Sequence, residues 1–247
     1  ENLLPGDRVA VHLRNSKERV FFDQAALACG LVIVPLYTDD RPDNIAYIMT
    51  DAAVKVLLVQ DAAVWKRLGP ALAGQEELQR VLILSSALNS TTASPTEVLA
   101  DERVRFVPDW LPETAGDLVK REGDPHALAS IVYTSGTTGR PKGVMLSHYN
   151  MLSIAHSALT MIDVYQEDLF LSFLPLSHTL ERTAGYYLPV MSGSAVAYAR
   201  SILQLADDLL NIRPTVMIAV PRIFERVFAR IQGQLDKQSG FKRALFN

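Results

Sequence analysis

The chain has 247 residues, 49 % apolar and 21 % charged, which is ordinary globular composition with ample material for a core. The net charge is −3, with 13 basic and 19 acidic groups in residues 1–125 against 11 and 8 in the remainder. No dense Lys/Arg stripe appears, so nucleic acid is not an expected partner. One cysteine, Cys29, excludes an intramolecular disulfide and reads as a small buried hydrophobe in a reducing compartment. No secretory pattern opens the sequence, and no apolar run approaches the roughly 20 residues of a membrane span. A cytoplasmic protein is expected, with peripheral membrane contact left open.

Pro5-Gly6-Asp7 is a turn, and residues 9–13 read as a strand. A helix is expected over 18–28, with Phe21, Phe22, Ala25 and Ala26 on its apolar face and Gly30 beyond its end. Strand 31–34 ends at Pro35, helix 42–51 follows, and then strand 54–59. Asp61 is placed to cap a helix over 62–68, and residues 80–84 form another strand. Apolar β-rich runs alternating with helices predict α/β architecture: layered, mostly parallel sheets covered by helices.

Residues 85–124 break that rhythm, and the small polar run 85–95 reads as a surface connection. Two lobes are expected, 1–124 and 125–247. Residues 104–107 read as an edge strand and Trp110 as a cap over a core. Strand 128–133 then enters a glycine-rich loop, and strand 144–146 leaves it. Helix 149–159, strand 169–174, helix 183–191, strand 194–198, helix 203–210, strand 215–219 and a helix over 221–235 complete the order. The last helix carries Phe224, Val227, Phe228 and Ile231 on one face.

The loop is Tyr133-Thr134-Ser135-Gly136-Thr137-Thr138-Gly139-Arg140-Pro141-Lys142-Gly143. Its glycines let backbone amides approach an anion closely. Four hydroxyls can donate to phosphate oxygens, Lys142 is a mobile cation, and Arg140 is available as a second. A Ser/Thr/Gly surface loop is the bland alternative. The spacing is not the Walker A pattern, nor the dinucleotide fingerprint whose glycines open a helix. Pro141 disfavours helix at Arg140, so a loop between two strands is expected.

This segment resembles, almost residue for residue, the phosphate loop of the adenylate-forming enzyme superfamily. Leu174-Pro175-Leu176-Ser177-His178-Thr179-Leu180-Glu181-Arg182, Val34-Pro35-Leu36-Tyr37 and the Val220–Val227 stretch resemble its long-chain fatty-acyl-CoA synthetase branch. The likeness runs over nearly the whole chain and implies the amino-terminal domain of such a ligase. In that family ATP and an acid give an acyl-adenylate and pyrophosphate, and coenzyme A then takes the acyl group as a thioester. The resemblance assigns the ATP phosphates to Thr134, Ser135, Gly136, Thr137, Thr138, Gly139 and Lys142. A magnesium ion is implied, met by the hydroxyl of Thr137 or Thr138. Lys142 and His178 are the expected catalytic residues, with Thr179 and Glu181 beside the acyl-adenylate.

His178 on composition alone reads as a structural histidine, and Glu181 with Arg182 as either a positioning pair or a solvated one. The apolar residues of 183–191 read as an acyl-tunnel wall or as plain core. The family's later Tyr-Gly-x-Thr-Glu segment and lysine-bearing carboxy-terminal domain have no counterpart, so the chain is expected to be an inactive part of a longer enzyme. Medium-chain or aryl acids, and a non-catalytic nucleotide-binding module, stay open as alternatives.

Overall fold

A computed structural model describes residues 1–84, 100–114, 116, 122–134 and 139–235; within 226–235 the side chains of 226, 227, 230, 231 and 233–235 fall outside the description. The expected surface connection over 85–95 lies outside the described residues.

The elements run β1 (Arg8–His12), α1 (Lys17–Ala28), β2 (Val32–Pro35), α2 (Pro42–Asp51), β3 (Val54–Val59), α3 (Ala62–Leu72), β4 (Arg80–Ile83), β5 (Val104–Phe106) and α4 (Val107–Trp110). They continue with β6 (Leu128–Thr134), β7 (Lys142–Ser147), α5 (His148–Met161), β8 (Leu169–Ser172), α6 (Thr179–Arg182), a π-helical turn (Thr183–Tyr187) and α7 (Leu188–Ser192). Last come β9 (Ala195–Tyr198), a 3-10 turn (Ile202–Gln204), α8 (Leu205–Ile212), β10 (Val216–Met217) and α9 (Pro221–Leu235).

Seven strands form the first sheet in the order β5-β4-β3-β1-β2-β6-β7, and three form the second, β10-β8-β9. Every pair is parallel except β6 with β7. Parallel strands are covered on both faces, which is why β1, β2 and β3 are buried almost end to end. One face packs Ala10, Val34 and Leu57 against Ile45, Met49 and Leu68 of α2 and α3. The other packs Val11, Ile33 and Leu58 against Phe22, Ala26 and Leu27 of α1. Helices therefore leave β1 and β3 toward opposite faces, and a crevice opens at the carboxyl ends of these neighbouring strands. A third cluster joins the second sheet to the first, through Phe170, Tyr187 and Ala155 against Ala129 and Leu27. The hairpin β6–β7, read from the sequence as part of the second lobe, hydrogen-bonds into the first sheet.

Local rules account for the helix starts. Ser16 accepts from the Arg19 N–H, Asp61 from Val64, and Ser147 with Asn150 forms a capping box. Helix α3 runs past the expected stop at Leu68 to Leu72, because Leu72 is fully buried and holds the last turn despite Pro70.

Three expectations need correction. Cys29 is exposed, because it is the C-cap of α1 and its side chain lies outside the packed face. Phe21 is 66 % exposed and Ala25 also faces out, whereas Arg19 and Asp23 of the same helix are buried. Trp110 is 40 % exposed and covers no core; its indole N–H donates to Glu1 at 3.0 Å. The apolar face of α9 is present, but Phe224 and Phe228 are about 60 % exposed among the described residues.

Candidate active site

The glycine-rich loop joins antiparallel β6 and β7 at the carboxyl edge of the parallel sheet, as its sequence predicts. Thr134 stands opposite Lys142 in the ladder, and both side chains are exposed. Ser135, Gly136, Thr137 and Thr138 lie outside the described residues. Gly139 has φ +89, a conformation that favours glycine. Both feet of the loop rest on α2. The Tyr133 hydroxyl donates to Asp51 at 2.6 Å, and burial together with that carboxylate pushes its pKa up. The Arg140 guanidinium lies over the Tyr47 ring, 5.4 Å from its centroid. Arg140 is thus engaged with an aromatic face in this structure rather than standing free as a second phosphate cation.

The second motif forms the turn after β8. His178 caps α6, its Nδ1 accepting from the Leu180 N–H at 3.2 Å, and is exposed, as is Thr179. Glu181 and Arg182 neither pair with each other nor face solvent. Glu181 is 1 % exposed; one carboxylate oxygen accepts from the Ser172 hydroxyl at 2.6 Å, and the other has no partner. Burial pushes its pKa up to about 7, against the small lowering effect of the Ser172 bond. Gly185 presses on this carboxylate so closely that an added Cβ would stand 2.4 Å from its oxygen. Arg182 is buried with Asp23 of α1 at 2.8 Å, and Tyr186 and Tyr187 flank its guanidinium. These helical positions point inward because α6 and the π-helical turn pack against α1. Within 183–191, residues Gly185 to Pro189 are buried. Val190 and Met191 border an open cavity of about 300 Å³ together with Leu27 and Met151.

The crevice at the carboxyl ends of β1, β2 and β3 is an open cleft of about 1060 Å³, closed on its far side by residues following β8 and β9. Five basic side chains line it (Arg14, Lys17, Arg19, Arg67 and Arg200) against three acidic ones (Glu18, Asp39 and Asp61). The amino-terminal turn of α1 also faces it. His12 borders the cleft at 1 % exposure, and neither ring nitrogen has a hydrogen-bond partner. Burial, with Arg67 nearby, drives its pKa down to about 4. Among the described residues, no group of three or more His, Cys, Asp or Glu side chains could hold a metal ion. Thr137 and Thr138, the expected magnesium contacts, lie outside those residues.

A family model described as AMP-binding enzyme matches residues 1–246. The chain belongs to this family. Similar curated members include the peroxisomal long chain acyl-CoA synthetase 6 of Arabidopsis thaliana, 30 % identical over 98 % of this chain and 34 % of that protein. Fatty acyl-CoA synthetase A of Dictyostelium discoideum is 29 % identical over 98 % of this chain and 36 % of its own length. The chain thus spans about a third of the length of these curated relatives. Among solved structures, the inhibitor-bound N-terminal domain of FACL13 from Mycobacterium tuberculosis aligns with TM-score 0.72 at 26 % identity. That alignment covers 91 % of this chain and 52 % of the other. ATP-bound MatB from Rhodopseudomonas palustris aligns at 0.69 and 26 %, over 91 % and 41 %.

The loop stands out from its own residues and the His178 turn from its family resemblance, whereas the bonds that hold the turn have no such motif. Asn15, Arg19, Asp23 and Ser172 supply those bonds. The only signal in the sequence was polar residues, Arg19 and Asp23, at helical spacing beside Ala26 on a face that should have been apolar.

Proposed function

We propose that the full-length protein is an AMP-forming ligase that joins a long-chain fatty acid to coenzyme A through an acyl-adenylate. The observation that carries this reading is the hydroxyl- and glycine-rich connection at the carboxyl edge of the parallel sheet, with exposed Thr134 and Lys142 facing each other at its base. The names of the curated relatives support the fatty acid and coenzyme A as substrates.

In this reading Thr134, Ser135, Gly136, Thr137, Thr138 and Gly139 donate to the ATP phosphates. Lys142 places an ammonium against the charge that gathers on the departing pyrophosphate. The fatty carboxylate attacks the α-phosphorus, the bond to pyrophosphate breaks, and the mixed anhydride forms. His178, on an exposed turn and with Nδ1 engaged by its own helix, orients the carboxylate rather than taking a proton. Thr179 stands beside the acyl-adenylate. Glu181 is a support beneath this turn, since its carboxylate is buried against Ser172. Magnesium on the triphosphate, met by Thr137 or Thr138, supplies charge neutralisation when bound.

The large basic cleft is lined by none of Thr134, Gly139, Lys142 or His178. Its exposed Arg14, Lys17 and Arg67 suit a second phosphate-bearing substrate, and in this reading that substrate is coenzyme A. The acyl chain suggests visits to a membrane surface; no helix among the described residues is long and apolar enough to cross one.

The test is direct. Purified full-length protein with ATP, magnesium, palmitate and coenzyme A is expected to give palmitoyl-CoA, AMP and pyrophosphate in equal amounts. Failure to release pyrophosphate with any of a panel of fatty, aryl and short-chain acids would remove the enzyme reading. Release only with aryl acids would move the substrate class.

A further inference from the structure

The turn that presents His178 has little support of its own. Residues 173–178 contribute few backbone bonds: the His178 N–H donates to the Pro175 carbonyl at 2.9 Å, and Pro175 itself has no N–H to give. The turn's shape comes instead from a residue about 160 positions earlier. Asn15, between β1 and α1, accepts the Leu176 N–H on Oδ1 at 3.0 Å. Its Nδ2 donates to the Leu174 carbonyl at 2.6 Å and to the Ser172 hydroxyl at 3.0 Å. One side-chain amide therefore bonds both sides of Pro175, as a neighbouring strand would. Ser172 passes the constraint on by donating to buried Glu181.

Arg19, one turn further along α1, adds a second anchor. Its guanidinium is 2 % exposed and donates to the Leu13 carbonyl and, at 3.0 Å, to the Ser177 hydroxyl. Ser177 in turn donates to the Leu36 carbonyl at 2.6 Å, beside the cleft residue Tyr37. The residues on both sides of Pro175 and the one just before His178 are thus fixed from the first sheet. Asn15 and Arg19 also border the cleft proposed for coenzyme A, but pyrophosphate exchange uses no coenzyme A, so that assay reads their hold on the turn alone.

We infer that Asn15 is a positioning residue for adenylation: its amide, backed by Arg19 through Ser177, sets the turn that places His178 against the reacting carboxylate. The inference rests on the proposed function, and it assigns a task to a part of the molecule far in sequence from either motif. A displacement of about 1 Å in such a turn is enough to lower the rate about 100-fold, because the reacting groups lose alignment.

Asn15→Asp in the full-length protein keeps the acceptor for Leu176 and replaces the donor to Leu174 with a repelling oxygen. Pyrophosphate exchange is expected to fall at least about tenfold in kcat, with the KM for ATP within about twofold, since the phosphate loop is untouched. Val81→Ala, in the first-sheet core away from the turn, serves as a control for lost stability alone. Asn15→Ser, which keeps a small hydrogen-bonding group, is read in the same way if the aspartate variant does not fold. His178→Ala separates the two layers of argument. If it lowers the rate while both Asn15 variants retain kcat, or lose it only as much as an equally destabilised Val81→Ala, the positioning role is overturned. If His178→Ala leaves the rate unchanged, the assignment of the turn itself is wrong, and this inference falls with it.

Discussion

The β6–β7 loop and the turn that ends at His178 are held in opposite ways. The loop rises from exposed Thr134 and Lys142, and its described feet meet α2 through the Tyr133 hydroxyl on Asp51, the buried Tyr133 ring and Arg140 over Tyr47. The turn is bonded on several sides, by half-buried Asn15 and buried Arg19. The difference fits two tasks. In the proposed function the loop wraps a ligand that comes and goes, and glycine-rich backbone between exposed Thr134 and Lys142 suits that task. A residue that aligns a reacting group gains from a support already fixed before the substrate arrives.

The sharpest way to break this contrast is to remove the buried support beneath the turn. Asp23→Ala leaves the Arg182 guanidinium, 2 % exposed, without its carboxylate. Loss of one partner from a buried ion pair costs about 3–5 kcal/mol. Urea unfolding should report a loss of that size; a change below about 1 kcal/mol would show that Tyr186 and Tyr187 already satisfy Arg182.

Glu181 offers a titration of the same support. Its pKa rises from 4.5 to about 7 on folding, so the folded state holds the proton more tightly than the unfolded chain. The resulting stability is complete below pH 4.5 and is lost as pH rises through about 7; the total is about 3 kcal/mol. Glu181→Gln should flatten this fall, so that the variant gains on the parent between pH 5 and pH 8 in thermal melts run across that range. Parallel pH profiles for the two proteins would mean that the carboxyl stays ionised throughout.

On the loop side the largest expected effect is on rate, not stability. Lys142 is exposed, so Lys142→Ala should leave the thermal midpoint in place. It should lower kcat/KM for adenylate formation about 100-fold, as loss of one donor to developing charge does elsewhere. Fatty-acid binding measured without ATP should be unaffected. Equal weakening of both would place Lys142 outside the triphosphate site.

What the sequence made legible follows from the range of the forces involved. Strands β1 to β4 and helix α2 come from local apolar periodicity and capping residues, so their bounds fell within a residue or so. The hairpin β6–β7 was readable because Pro141 disfavours helix at Arg140 and the glycines permit a tight loop between two strands. The Asn15, Arg19 and Asp23 bonds were not, because each joins residues about 160 positions apart and no periodicity encodes a single long-range hydrogen bond. Phe21 and Cys29 failed for a related reason. On the buried side of α1, Arg19 bonds Ser177 and Asp23 bonds Arg182 and Tyr186, so that face differs from the one that hydrophobicity alone selects.

The smallest effect tests why Gly143 is a glycine. Its φ is not in the left-handed region, so backbone freedom is not the reason. Space is: an added Cβ would stand 2.8 Å from Ile131 Cγ2 and 3.0 Å from the Tyr133 ring on the paired strand. The β-branched Ile131 has little freedom to move aside, and Tyr133 is tethered to Asp51. Gly143→Ala should therefore cost about 1–3 kcal/mol as overpacking and shift the foot of the loop, raising the KM for ATP a few-fold. Adding Ile131→Ala opens the room for that methyl group while forfeiting some packing of its own. The KM should then return toward the parent value even though stability does not. A double variant that keeps the raised KM would locate the constraint in the ring of Tyr133, and Tyr133→Leu in the same background would then be the change that restores it.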